Sequence, residues 1–225
     1  MKKAFTLGAK KVALVAVMTA TIEGAKLALG ALPNIEAVTL LCAVYGYVFG
    51  GLGILATSLF VVIETFIYPI HSWVIYYAIH WNAVCLTFWL LGRKKVKSRV
   101  ILTLLAFLHT AFFGVETSLI DTMLFTGFSG DFWARFAAMY VRGTWFYVAQ
   151  IACNLLLFPI TFLPLAKILT KAKQKFLNGG KREKVVKTEE ALPVREERVP
   201  NPWDESPHPP APNGEEKVDE AEKGV

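Results

Sequence analysis

Four ionisable side chains stand inside apolar runs, where charge is expensive: Glu64 in "SLFVVIETF", His80 in "YYAIHWNAV", Glu116 in "FFGVETSLI" and Arg142 in "AMYVRGTWF". In hydrocarbon such a group costs several kcal/mol unless it faces a cavity, water or a partner. Aromatic residues crowd the same level, with Trp73, Tyr76, Tyr77 and Trp81 in one run and Tyr140 and Trp145 in another. Trp73, Tyr77 and His80 or Trp81 share a helical face by their three- and four-residue spacing. The chemistry this set offers is recognition: ring stacking, plus charge-assisted hydrogen bonds from the acids, the histidine and the arginine. Glu64 and Glu116 have a plainer use as structural partners of Arg142, and Trp73 and Tyr76 as interfacial anchors.

The elements that must position these groups are read from hydropathy. The chain has 225 residues, 54% hydrophobic, with mean hydropathy +0.44. A helix needs about 20 mostly apolar residues to cross a bilayer. Six candidates lie near 12–32, 36–50, 52–69, 73–91, 100–120 and 134–166, so the expected fold is an all-α membrane protein with six transmembrane helices. The first run follows Lys2, Lys3, Lys10 and Lys11 but is too long for a signal peptide and is read as a retained span. At 1.5 Å per residue from the expected outer ends, Glu116 lies about 6 Å deep, Glu64 about 8 Å, His80 about 10 Å and Arg142 about 12 Å. All four fall in the outer half, as befits a pocket that opens outward without running through.

Charge sets orientation and domain limits. The N-terminus, the fourth connection "GRKKVKSR" and the sequence after the sixth span, with Lys167, Lys171, Lys173 and Lys175, are basic. The connections on the other side carry only Arg135, so the positive-inside rule puts both termini in the cytoplasm. Residues 1–175 form the expected transmembrane domain. Residues 176–225 hold most of the acids and prolines and few aliphatic groups, and read as a disordered cytoplasmic tail. Topology accounts for the bases, so nucleic acid is not an expected partner. Cys42, Cys85 and Cys153 lie in separate spans without paired spacing, and no metal or cofactor is expected.

Small residues form a second pattern. Ala16, Ala20, Gly24 and Ala28 fall four apart on the first helix, and Ala9 and Ala13 continue toward the cytoplasm. Gly46, Gly50, Gly51 and Gly53 surround the turn between the second and third helices. Both patterns let backbones approach closely, inside the chain or against another membrane protein. Glu23 and Lys26, three apart on the first helix, are placed to neutralise each other.

The ordered combination over residues 1 to about 175 resembles the S component of energy-coupling factor (ECF) transporters. It comprises the helix-1 stripe, the short outer loop "LPNIEAVTLL", the turn "FGGLG" followed by a membrane acid, and the basic fourth connection. The resemblance implies a subunit that binds a vitamin-like micronutrient from outside. It also implies a transmembrane coupling subunit and two cytoplasmic ATPases as partners. In that family the alanine motif docks on the coupling subunit, a role that would fall to Ala9, Ala13, Ala16 and Ala20. The family pocket, built mainly from helices 4, 5 and 6, would take Trp73, Tyr77, His80, Trp81, Glu116, Tyr140, Arg142 and Trp145, with Glu64 at the same level. The first outer loop is short for the family, which throws lid closure onto the later outer segments.

No G-x-x-x-x-G-K-[ST], H-E-x-x-H or G-x-S-x-G occurs, so the chain is not expected to be an enzyme. Two rival readings are a membrane scaffold without a ligand and an intramembrane enzyme using Glu116 and His80 as acid and base.

Overall fold

The computed structural model describes residues 8–32 and 35–190, with side chains to residue 177. The described residues form six helices and no strand: α1 (Ala9–Leu29), α2 (Val38–Phe49), α3 (Gly51–Ile67), α4 (Trp73–Arg93), α5 (Arg99–Thr126) and α6 (Phe132–Glu190). Each begins within a few residues of an expected span. Four of them, α1, α4, α5 and Phe132–Leu177 of α6, are long and apolar enough to cross a membrane.

The second and third are shorter than the expectation requires. At 1.5 Å per residue, the 12 residues of α2 and the 17 of α3 extend about 18 and 26 Å, under the roughly 30 Å of a bilayer core. The reason is local. Gly50 holds φ at +62°, a left-handed value open to glycine, and reverses the chain with its N–H on Gly46 O at 2.9 Å. A side chain there would also meet the Trp89 indole. At the other end of α2, Glu36 caps the helix, its Oε2 accepting from Thr39 N at 2.8 Å.

Almost all of α2 is buried, including Cys42, Ala43, Val44 and Gly46, so it is the inner helix of the bundle. Its closest neighbour is α4. Added methyl carbons would stand 2.1 Å from Cys85 O at Gly46 and 2.2 Å from Tyr47 O at Gly92, so the two glycines let these backbones touch. The Gly46-x-x-x-Gly50 pattern therefore divides its work between a packing seam and a turn. Around this seam lies the core: Val15 and Ile22 of α1, Phe60 of α3, Phe88 of α4, Leu102 of α5, and Phe158 and Phe162 of α6. Outward faces are apolar too, with Leu86, Leu104, Leu108, Leu156 and Ile160 exposed. Water penalises such a belt and lipid accepts it.

Helix α6 continues beyond the expected end of its span, through Pro159 and Pro164, to Glu190. The boundary expected at 175/176 thus falls inside a helix. Contacts divide the chain into units 1–184 and 185–225, and the tail from 191 lies outside the described residues.

Apart from Lys26, the lysines described with side chains gather at one end. Lys173 donates to Val48 O at 2.6 Å, beside the Gly50 turn, and Lys10 to Phe176 O at 3.3 Å. The opposite end is tied by Ser72, which donates to Asp121 Oδ1 at 2.5 Å. There Arg135 binds Thr126 Oγ1 at 2.9 Å, Gly127 O at 3.3 Å and Ser129 Oγ, closing the α5–α6 connection.

Candidate functional site

At the end away from the lysines lies a cavity of about 170 Å³. Its walls come from every helix: Lys26 of α1, Val38 of α2, Phe60 of α3, Tyr77 and Trp81 of α4, Phe113 of α5 and Gln150 of α6. Leu29, Gly30, Leu32, Ile35 and Glu36, from the end of α1 and the α1–α2 connection, complete the lining.

The α4 wall is an aromatic ladder. Trp73, Tyr77 and Trp81 stand four residues apart, one turn above the next, with ring centroids at 5.3 Å and 5.7 Å. Trp73 is fixed by its Nε1 donating to Pro69 O at 2.9 Å. Trp81, on the same wall, is 3% exposed, and its buried Nε1 has no acceptor among the described residues. Behind this wall, His80 Nδ1 and Glu116 Oε2 are 3.2 Å apart, both buried, and the His80 ring packs on Trp81 and Phe113 at 4.8 and 4.5 Å. Neither His80 nor Glu116 lines the cavity itself.

The charged corner belongs to α1 and α3. Lys26 forms an ion pair with Glu64, which is 1% exposed, and its ammonium lies over the Tyr68 and Tyr77 rings at 4.6 and 5.1 Å. Buried Glu23 lies beside the pair, its carboxyl against that of Glu64 and with no other hydrogen-bond partner among the described residues. The expected neutralisation of Glu23 by Lys26 within α1 is therefore replaced by a pair between helices.

Glu36 is already committed. Besides capping α2 it accepts from Asn154 Nδ2 at 2.7 Å, and Cys153 Sγ lies 3.4 Å from its carbonyl. These contacts fasten the α1–α2 connection to α6 over the cavity.

Six of the nine residues expected at the pocket, Glu64, Trp73, Tyr77, His80, Trp81 and Glu116, form one contiguous cluster at the cavity or directly behind its wall. Three lie elsewhere. Tyr140 stacks with Phe136 and Tyr147, whose hydroxyl is 3.0 Å from Ser118 Oγ between α5 and α6. Arg142 and Trp145 are exposed on α6, Trp145 by 78%, and do not reach the cavity. The expected pairing of Arg142 with Glu64 or Glu116 is corrected accordingly, since Lys26 and His80 take those places. For Trp145 the cause is helical phase. The buried stripe of α6 is Gln150, Asn154, Phe158, Phe162 and Ala166, and at about 100° per residue Trp145 points about 140° away from Gln150.

Sequence reasoning missed Phe60, Phe113 and Gln150, and gave Lys26 a different partner. For Gln150 and Asn154 there was a signal: two amides four apart in an apolar run, which become costly if turned to lipid. On α1, Ala9, Ala13, Ala16 and Ala20 are all exposed, whereas the helix packs inward through Val15, Met18, Thr19, Ile22 and Glu23. Thr19 donates across to Ala56 O at 3.1 Å. The small-residue stripe is thus not consumed by packing among the described residues.

The described residues form helices and their connections, with four helices able to cross a membrane and a small, largely aromatic and aliphatic cavity at one end of the bundle. Comparison with known proteins gives no matching family model, curated protein or solved structure.

Proposed function

We propose that the chain is a six-span membrane protein with both termini in the cytoplasm, acting as the substrate-binding S component of an ECF-type importer. It binds a vitamin-like heterocycle from outside, and a coupling subunit and two ATPases supply transport energy. The observation that carries the reading is the cavity at the lysine-poor end, walled by Tyr77 and Trp81 and edged by the Gln150 amide. At about 170 Å³ it is close to the size of an engineered cavity of about 150 Å³ that takes benzene, so it suits a single ring. The Lys26 charge is met by Glu64, which leaves the Gln150 amide to recognise the ligand and the Trp81 ring to pack on it. A neutral heterocycle with a carbonyl or ring-nitrogen acceptor fits that inventory best. The short α2 is compatible with six spans because it is enclosed by its neighbours and need not match the lipid itself.

A scaffold without a ligand is the second reading, favoured by the exposed alanine stripe, which calls for a partner and not for a small molecule. The two separate on one experiment. The full chain is purified in detergent and denatured, and the released small molecules are identified by mass spectrometry. The compound found is then titrated back by tryptophan fluorescence against wild type and Trp81→Phe. Release of a heterocycle that Trp81→Phe binds about tenfold more weakly supports the proposal. A chain that carries nothing, yet co-purifies with membrane partners, supports the scaffold.

A further inference from the structure

The largest cavity among those described lies at the other end of the bundle, where the substrate reading makes no use of it. It measures about 720 Å³ and is lined by four lysines: Lys95 and Lys97 from the α4–α5 connection, and Lys167 and Lys171 from α6. Thr170, Tyr47 and Gly92 add polar groups, while Val48, Leu163 and Ala166 add an apolar wall. We propose that this cavity binds the phosphate headgroup of an anionic phospholipid.

The lysines are held in place on both sides. On α6, Lys167, Thr170 and Lys171 follow three- and four-residue spacing and share one face. On the other side, α4 ends in a tight cap, with Val96 N donating to Leu91 O and Lys95 N to Gly92 O, both at 3.1 Å. That motif puts Lys95 at φ +55°, the sole positive value at a non-glycine residue among those described and a position where glycine is the usual occupant. The connection is then pinned to α2 by Tyr47, whose hydroxyl donates to Val96 O at 2.8 Å. A basic side chain therefore occupies a position that backbone geometry would give to glycine, next to a cavity lined by three more.

Charge complementarity names the ligand. No acidic residue lines the cavity, and the one lysine ion pair among the described residues, Lys26–Glu64, involves other groups. Each ammonium offers three donors to a phosphate and carries a full charge. A phosphodiester could arrive free or on a lipid, and two features select the lipid. On α6, Ile160 stands one turn before Leu163 of the apolar wall and is 69% exposed, so an acyl chain can lie against it. Lys95 and Lys97 also follow directly on the end of α4, and Lys167 and Lys171 of α6 line the same cavity, at the level a headgroup layer takes in the six-span reading.

The test uses the detergent-purified full chain and native mass spectrometry with phosphatidylglycerol, phosphatidylcholine and inorganic phosphate. The expected result is binding of phosphatidylglycerol at least about tenfold tighter than phosphatidylcholine. That preference should fall severalfold in Lys167→Gln/Lys171→Gln and persist in Lys10→Gln/Lys11→Gln, whose bases lie outside the cavity. Lys95→Gly guards against misfolding, because glycine suits the turn and removes only the charge; it too should lower the preference. Equal binding of the two lipids would overturn the proposal, as would unchanged preference in both cavity variants. Displacement of phosphatidylglycerol by millimolar inorganic phosphate would make this a free-anion site and overturn the lipid assignment.

Discussion

Lys26 of α1 and Glu64 of α3 form an ion pair whose acidic member is almost wholly buried, 38 residues apart in sequence and across a helix interface. Such a pair resists the loss of one partner more than the loss of both. Removing Lys26 leaves Glu64 uncompensated beside Glu23, so Lys26→Met should destabilise the purified protein by about 3–5 kcal/mol. The double variant Lys26→Met/Glu64→Leu should recover much of that loss. Thermal unfolding of the four members of the cycle in detergent reads the coupling, and additive losses would show that the pair does not hold α1 to α3.

The α2–α4 seam predicts a contrast between two glycines. Gly46→Ala drives a methyl into the Cys85 carbonyl, a backbone atom that cannot swing aside, and should cost at least about 1–3 kcal/mol. Gly24→Ala meets nothing within 4 Å and gains helix propensity, so the isolated chain should be as stable or slightly more stable. Melting temperatures of the two variants check this directly, and equal tolerance would mean that the seam is looser than described.

A third expectation concerns the exposed face of α1. Ala16→Trp or Ala20→Trp adds bulk at exposed positions of α1, so folding and ligand binding should survive. Recovery of a membrane complex by affinity purification from native cells should drop sharply. Undiminished recovery with both variants would remove the stripe from any docking role.

Topology is open to chemical labelling. Ile70, 75% exposed at the lysine-poor end, and Lys94, exposed at the lysine-rich end, lie on opposite sides in the six-span reading. In intact cells an impermeant maleimide should modify Ile70→Cys but not Lys94→Cys, and the latter should react once the cells are opened. Modification of Lys94→Cys in sealed cells would defeat the assigned orientation.

The number and order of helices were legible because apolar runs and basic connections are one-dimensional signals. The face of α4 was legible for the same reason: residues 73, 77 and 81 form a ladder by spacing alone. Partner choice was not. Lys26 has an acid three residues away on its own helix and another 38 residues away, and only packing of α1 on α3 decides between them. Depth also misled at Arg142 and Trp145, since a residue's level says nothing about its azimuth. Phasing α6 on Gln150, whose amide must be satisfied, would have turned Trp145 away from the pocket, while Arg142, only about 80° from Gln150, would still have passed that test. The shortness of α2 rests on Gly50 and on the Glu36 cap, neither of which hydropathy registers.

Pro159 and Pro164 each lack an N–H, so the carbonyls of Leu155 and Ile160 receive no helical hydrogen bond from them. These two gaps fall between Asn154, which ties α6 to the loop over the cavity, and Lys167 and Lys171 at the far end. Bending stiffness along α6 is therefore uneven, with a compliant joint near its middle and firmer rods on either side. A small angular movement at that joint displaces the lysine end by an amount set by the length of the rod beyond it, at about 1.5 Å per residue. In mechanical terms α6 is an elastic lever whose fulcrum is written into the sequence as two prolines five residues apart.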